Sequence, residues 1–295
     1  MNFKVALQLG RVSNVPTVWT NVLAGVALAG ALPGDAQPLG PRVGAWPILA
    51  LGTALSLYYV GGMWLNDAFD RSFDAQVRPE RPIPSGKATA LEVFVGGFGL
   101  LAAGFAGLAL LAIGAPSAGV LMACGASLAI LIVLYNMHHK NNRLSPLLMG
   151  LCRVGVYLTA AAAVGPLRAE VFGGAAVLLA YLIGLSYVAR QETLSEVKNL
   201  WPLGFLAVPF LYASTRGGAA MAVITAGFFV WVLHSLSFLR KAPKPQIPRA
   251  VVSLIAGISL LDAKLIAHEG HPGLAAVAVL GFGLTLFFQR YIRGT

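Results

Sequence analysis

Residues 44–74 have the sequence GAWPILALGTALSLYYVGGMWLNDAFDRSFD, an apolar run that leads directly into a row of acidic side chains. The apolar part, residues 44–65, contains no Asp, Glu, Lys or Arg. A run of about 20 apolar residues is long enough to cross a ~30 Å hydrocarbon core as a helix. We therefore expect a membrane-spanning helix that ends in a polar site.

Similar apolar runs recur along the whole chain. The 295 residues are 57% hydrophobic and 11% charged, and the mean hydropathy is +0.76, which is unusual for a soluble domain. The predicted fold is all-α, a polytopic membrane helix bundle of about nine helices within limits of eight to ten, formed by one domain of residues 1–295. The candidate spans are 14–33, 44–65, 89–113, 117–135, 146–165, 171–189, 200–215, 218–239, 250–267 and 273–291. The seventh contains two prolines and the ninth two charges, so either could be re-entrant or interfacial instead.

The distribution of basic residues predicts the orientation. Ten crossings would place Arg42, Arg168 and Arg216 on one side of the membrane and Arg153 and Lys264 inside helices, with every other Lys and Arg on the opposite side. Lys and Arg accumulate in cytoplasmic loops, so the crowded side is predicted to be cytoplasmic. The formal charge of +10 then reflects membrane orientation, whereas nucleic-acid binding would place the charge on a soluble face. No nucleic-acid partner is expected.

The same map predicts an integral protein of a bacterial inner membrane. The N-terminus lacks the pattern of a removable signal peptide, so the first helix is expected to direct insertion. Cys124 and Cys152 both lie within predicted spans. They therefore indicate neither a disulfide framework nor a zinc site.

The first acidic stretch, residues 66–87, has the sequence NDAFDRSFDAQVRPERPIPSGK and holds four of the 11 Asp and Glu residues. If the preceding helix continues into it, Asn66, Asp70 and Asp74 lie on one face, each about 6 Å further along the axis. Oxygen ligands of this kind suit Mg²⁺. Basic residues follow at once, namely Arg71, Arg78 and Arg81. Because guanidinium groups bind phosphate oxygens bidentately, this combination is what a metal-bridged diphosphate requires.

A second acidic cluster follows the sixth span and contains Arg190, Glu192, Glu196 and Lys198. Glu192 and Glu196 are four residues apart and share one face of a helix. Helix parity puts both clusters on the same side, where they could face each other across one cavity and hold two Mg²⁺ ions. The alternative is a solvated loop with ordinary surface charges.

A third polar segment, residues 135–143, has the sequence YNMHHKNNR and is expected on the same side. Tyr135, Lys140 and Arg143 could supply further phosphate donors. His138 and His139 are adjacent and point in different directions on a helix, so we interpret them as interfacial or structural.

Arg153 lies inside the fifth span, where a charge must face the bundle interior or an aqueous cavity. Its partner could be a diphosphate oxygen or a buried structural group. Aromatic side chains could line such a cavity or serve only as packing, and the candidates are Tyr58, Tyr59, Phe69, Tyr157, Tyr181 and Tyr187.

The pattern N-D-x-x-D-x-x-x-D over residues 66–74, followed by R-P-x-x-x-G over residues 81–86, resembles the first aspartate-rich motif of the UbiA superfamily of intramembrane prenyltransferases. Near the N-terminus, Arg11, Asn14 and Asn21 also resemble the polar residues that open the first helix of that family. The resemblance implies about nine helices around a central cavity, with two Mg²⁺ ions at its cytosolic mouth. It further implies transfer of an isoprenoid from a polyprenyl diphosphate to an aromatic or other nucleophilic acceptor within the membrane lipid.

By the same resemblance, site residues can be assigned. The metal ligands would be Asn66, Asp70, Asp74, Glu192 and Glu196, with Asp67 supporting the site. The substrate ligands would be Arg11, Asn14, Asn21, Arg71, Arg78, Arg81, Tyr135, Lys140, Arg143, Arg153 and Lys198.

Two features depart from the family pattern. The second motif carries glutamates where the family usually has aspartates, and the map has a tenth span. The glutamates resemble a divergent, EboC-like branch. The altered second motif leaves open a catalytically impaired relative that binds a prenyl diphosphate. A transporter or flippase of an anionic lipid or metabolite is a further alternative, although the position of the acids at one membrane face counts against it.

Overall fold

The computed structural model describes residues 1–30, 44–140, 142–190, 201–212, 218–240 and 246–292, and every regular element in these ranges is a helix. The α-helices are α1 (Phe3–Leu9), α2 (Val15–Leu28), α3 (Ala45–Phe69), α4 (Arg71–Val77), α5 (Ala90–Ala112), α6 (Ala118–His138), α7 (Ser145–Val164), α8 (Ala169–Arg190), α9 (Val208–Leu211), α10 (Gly218–Ser237), α11 (Ile247–His268) and α12 (Pro272–Gln289). Short 3₁₀ segments lie at Val12–Asn14, Trp201–Ala207 and Phe238–Arg240.

Eight helices of the described chain, α3, α5 to α8 and α10 to α12, are long and apolar enough to cross a membrane. The shorter α2 has 14 residues and packs against α7, α11 and α12. The prediction of an all-α, polytopic membrane bundle is therefore confirmed. Part of the first candidate span, 14–33, lies outside the described residues.

The seventh candidate span is not a full-length helix. Residues Trp201–Leu211 form a 3₁₀ segment and one α-helical turn. Pro209, at the junction between them, has no N–H to continue the helical hydrogen bonds. Leu206 lies against Gly184, whereas Tyr212 lies against Gly173. These glycines are about 16 Å apart along α8, which is about half of a hydrocarbon core. Between residues 206 and 212 the chain thus runs antiparallel to α8. Among the residues that the structure describes, this candidate span contains no helix of membrane-spanning length, which favours the re-entrant or interfacial alternative.

The ninth candidate span is, by contrast, the central helix of the bundle. The 22 residues of α11 are surrounded by α2, α8, α10 and α12. Its two charged residues, Asp262 and Lys264, are 0% and 1% exposed. Because a helix buried on all sides forms the core of a bundle, α11 does not lie at the interface.

Glycines set the distance between α3 and α5. A Cβ on Gly61 would lie 2.8 Å from the carbonyl oxygen of Gly97, and a Cβ on Gly104 would lie 2.7 Å from that of Ala54. Small residues allow helix backbones in membranes to approach this closely. The contact fixes the position of α3, which carries the acidic row.

Candidate active site

The acidic row comprises the side chains of Asn66, Asp67, Asp70 and Asp74, and its backbone remains helical beyond the end of α3. The backbone N–H of Asp70 donates to the carbonyl of Asn66 at 2.9 Å, and that of Asp74 donates to Asp70 at 2.8 Å. These bonds continue the helical spacing, so the side chains of Asn66, Asp70 and Asp74 stay on one face, as the sequence predicted. All three are buried.

Two arginines neutralise this row. Arg81 donates to Asp67 at 3.1 Å and to Asp74 at 2.9 Å. Arg11 donates to Asp67 and to Asn66, both at 3.2 Å. Buried carboxylates require compensating charge. Arg11 and Arg81, which the sequence predicted as phosphate ligands, supply that charge in this structure.

The loop after α4 presents Arg81 to the carboxylates. The backbone N–H of Lys87 donates to the carbonyl of Pro82 at 2.9 Å, which closes the loop. Gly86 has a φ of +74°, in the left-handed region that glycine adopts without a steric penalty. The final glycine of the R-P-x-x-x-G motif is thus required by the backbone.

Asp70 faces the C-terminal end of α6. Lys140 Nζ lies 3.1 Å from its carboxylate and His139 Nε2 lies 3.3 Å from it. Burial alone would raise the pKa of Asp70, but the hydrogen bond and charge of His139 and the charge of Lys140 outweigh it and lower the pKa below its ordinary value. Asp70 is therefore held as a carboxylate.

His139 is a site residue that the sequence analysis discounted. Its ring stacks on that of Tyr135, with the centroids 5.0 Å apart. The spacing of four residues places Tyr135 and His139 on one face of α6, whereas His138 is exposed. Helical periodicity was the signal that could have separated the two histidines.

A cavity of about 140 Å³ opens beside the acidic row. Its polar lining includes Arg11, Asn66, Tyr135 and Arg153, and its apolar lining includes Leu55, Ile132, Leu182 and Ile258. Tyr58 and Tyr59 also line it, whereas Tyr157 and Tyr181 are fully buried in the core. The cavity thus joins charged groups to an apolar interior.

The donor chemistry of the row fits Mg²⁺. Burial raises the pKa of Asp74, although Arg81 partly offsets this effect. Asp74 Oδ1 is buried and has no hydrogen-bond partner among the residues that the structure describes. In those residues no three His, Cys, Asp or Glu side chains are grouped closely enough to bind a metal. Mg²⁺ sites commonly use only one or two carboxylates and take their other ligands from substrate phosphates and water.

Several predicted ligands lie away from the cavity. Arg71 donates to the carbonyl of Ala68 at 2.9 Å and lies over the ring of Phe94. Phe69 also contacts the ring of Phe94, so Phe69 is a packing residue. Arg78 ends α4.

The other predicted ligands have mixed positions. Asn14 lines the cavity and accepts from Gln289 at 3.0 Å. Asn21 is fully buried behind Arg153. Arg143 is exposed, and its backbone carbonyl accepts from Arg190 at 3.3 Å, so the end of α8 lies beside the loop that follows α6.

The second acidic motif falls outside the described residues. This applies to Glu192, Glu196 and Lys198. Their predicted roles therefore remain predictions.

Comparison with known proteins identifies the family. The model of the UbiA prenyltransferase family matches residues 18–261. The chain belongs to this family. It is therefore an enzyme that transfers isoprenyl groups, and its eight apolar helices in the described residues make it an integral membrane protein.

Relatives of the UbiA family resemble most of the chain. The digeranylgeranylglyceryl phosphate synthase of Methanopyrus kandleri is 28% identical over 272 residues, which is 90% of this chain and 89% of that protein. A solved structure of a digeranylgeranylglyceryl phosphate synthase covers 90% of this chain and 98% of its own, with a TM-score of 0.59 and 18% identity. It shows the same fold. A UbiA homologue from Aeropyrum pernix K1 has a TM-score of 0.48 at 15% identity and covers 95% of this chain and 98% of its own.

His139→Ala is expected to lower the rate of prenyl transfer about tenfold, because a hydrogen bond to a charged group contributes about 1.5–3 kcal/mol. The loss would remove one of the two side chains that contact the Asp70 carboxylate and leave the other, Lys140. Initial rates for His139→Ala and for His138→Ala, its exposed neighbour, provide the check. Equal rates in the two variants would contradict a role for the His139–Asp70 contact.

Proposed function

We propose that this UbiA family member transfers an isoprenoid from a polyprenyl diphosphate to a nucleophilic acceptor, with Mg²⁺ as its cofactor. The supporting observation is the placement of a carboxylate row and its cations at the polar end of a cavity that is otherwise apolar. The M. kandleri relative is named for digeranylgeranylglyceryl phosphate, so geranylgeranyl diphosphate is the donor to test first.

The row supplies the metal ligands in this proposal. Asn66, Asp70 and Asp74 would bind one ion, with Asp67 supporting them, and Glu192 and Glu196 would bind the other. Arg11, Arg81 and Lys140 already lie within 3.2 Å of carboxylates in the row. The diphosphate would meet these cations next to the metal ligands.

The reaction breaks the bond between the allylic carbon and the bridging oxygen, and the electron pair leaves with pyrophosphate. Bound Mg²⁺ would neutralise the negative charge that develops on the leaving group. Arg11, Arg81 and Lys140 would stabilise the same charge through fixed N–H donors. The acceptor nucleophile then forms a bond to the allylic carbon, and its proton passes to the released pyrophosphate or to water. The apolar walls exclude water, and the ring face of Tyr59 favours positive charge nearby.

The charged end of the bundle would face the cytoplasm. Contacts in the structure bring Arg11, Arg81, Lys140 and Arg190 to the same end of the helices. Basic residues concentrate on the cytoplasmic side of membrane proteins. A soluble diphosphate pool in the cytoplasm would then have direct access to the row.

Metal withdrawal tests the proposal. We expect purified protein, given labelled geranylgeranyl diphosphate and a cell extract as the source of acceptor, to release pyrophosphate with Mg²⁺ and to stop in EDTA. Excess Mg²⁺ should restore the rate, since metal neutralisation of the leaving group is essential. Release that continues unchanged in EDTA would contradict the proposal. Binding of the diphosphate without release would instead indicate the catalytically impaired relative.

A further inference from the structure

Arg153 is a second cation in the cavity, apart from the acidic row. Its Nη1 donates to Asn21 Oδ1 at 2.8 Å and its Nη2 donates to Thr17 Oγ1 at 3.0 Å, while the guanidinium lies 5.3 Å from the ring centre of Tyr59. A guanidinium has five N–H donors. Within the described ranges the other three have no acceptor, and no carboxylate lies within ion-pair distance of Arg153.

A buried carboxylate supports this arrangement from behind. Asp262, on α11, accepts from Asn21 Nδ2 at 2.8 and 3.0 Å, from Thr20 at 2.5 Å and from the hydroxyl of Tyr157. Because a carboxylate accepts only from the amide nitrogen of Asn21, the amide oxygen must face Arg153. Asp262 thus fixes the acceptor to which Arg153 is bonded, and its charge compensates the buried cation through one intervening side chain.

The position of Arg153 separates it from the metal ligands. Tyr59, which its guanidinium contacts, precedes Asn66 by two helical turns on α3, or about 10 Å along the axis, and precedes Asp70 by about 16 Å. Arg153 therefore lies at the level of Tyr59, about two to three helical turns deeper along α3 than Asn66 and Asp70.

We propose that the free N–H donors of Arg153 form an oxyanion subsite for the acceptor, with Asp262 acting through Asn21 as a positioning residue. The acceptor would carry a carboxylate or phosphate group, because the planar fork of arginine binds both bidentately. This inference rests on the proposed function, since it names the acceptor class of the same cavity. The allylic carbon would then lie between two anion sites, with the diphosphate at the mouth and the acceptor oxyanion below it.

The subsite is tested by anion binding without metal. The purified full-length protein is titrated in EDTA with inorganic phosphate and, separately, with benzoate, and the dissociation constant is obtained from the rise in Tm. We expect at least one anion to raise the Tm, Arg153→Gln to abolish that rise, and Asp70→Asn to retain it. Arg249→Gln, which changes an exposed arginine, is the matched surface control and should behave as the wild type. Tighter binding of phosphate indicates a phosphorylated acceptor, and tighter binding of benzoate indicates a carboxylated one.

Asp262→Asn tests the positioning role. We expect about tenfold weaker anion binding in this variant, with unchanged Mg²⁺-dependent binding of geranylgeranyl diphosphate. A purely structural role would weaken both. If Arg153→Gln does not purify as a folded protein, Arg153→Lys keeps the charge but removes the fork and should bind the anion at least several-fold more weakly.

Two results would overturn the subsite. One is that neither anion stabilises the wild type, and the other is that the Arg153 variants bind the anion with wild-type affinity. Pyrophosphate release is measured on the same preparations. Intact Mg²⁺-dependent release with no anion effect would remove the subsite alone. Loss of metal dependence, with anion binding retained, would instead remove the proposed function.

Discussion

Asp70→Ala is expected to lower Mg²⁺-dependent pyrophosphate release by about a hundredfold or more, the size seen when one preorganised charge-stabilising group is removed from an active site. Asp70 occupies the centre of the acidic row and contacts both His139 and Lys140. Its loss would remove a proposed metal ligand and leave the His139 ring and the Lys140 ammonium without the carboxylate that they contact. Initial rates with labelled geranylgeranyl diphosphate, over a range of Mg²⁺ concentrations, measure the effect.

Glu80→Ala provides the matched control for Asp70→Ala. Glu80 is an exposed carboxylate in the loop between α4 and α5. Its removal changes the net charge by the same amount, so release should stay at the wild-type rate. A similar loss in both variants would indicate a general charge effect, and a wild-type rate in Asp70→Ala would refute the role given to the row.

Gly104→Leu is expected to destabilise the protein by about 3 kcal/mol or to prevent its recovery as a single folded species, because overpacking a close interface costs about 1–3 kcal/mol. A Cβ at this position would meet the carbonyl oxygen of Ala54 at 2.7 Å and the ring of Tyr58 at 2.6 Å. The backbone of α3 cannot move aside without displacing the acidic row. The Tm and the elution profile in detergent are the measurements.

Gly99→Leu is the corresponding control on the same helix. A Cβ on Gly99 would meet no other heavy atom within 4 Å in the described structure. Since glycine disfavours helix interiors by about 0.5–1 kcal/mol, this change should leave the Tm equal or slightly higher. If both variants were equally destabilised, the α3–α5 glycine contact would not be the cause.

Much of the fold could be predicted from the length of apolar runs, because the bilayer fixes how many residues a spanning helix needs. The residue 200–215 segment shows the limit of this rule. Hydropathy counts apolar side chains but does not register that prolines interrupt the hydrogen bonds of a helix. The same rule could not decide whether α11 spans the membrane, because it contains Asp262 and Lys264. The position of α11 at the centre of the bundle buries both side chains.

Part of the candidate site could be predicted from the sequence, and part could not. Local spacing placed Asn66, Asp70 and Asp74 on one face, because helical periodicity is a property of neighbouring residues. The partnership of Asn21 with Asp262 joins residues 241 positions apart. No spacing rule relates such positions, so only the packing of α2 against α11 reveals it.

The pairing of Arg11 and Arg81 with Asp67 and Asp74 has a consequence for how the enzyme fills. In the structure these opposite charges pair with one another. Under the proposed function, a divalent ion that binds alone would compete with the arginines, and a diphosphate that binds alone would compete with the carboxylates. If both bound together, the ion would free the arginines for the diphosphate, and the diphosphate would free the carboxylates for the ion. Binding would then be cooperative, and by thermodynamic reciprocity the diphosphate would strengthen ion binding by the same factor as the ion strengthens diphosphate binding.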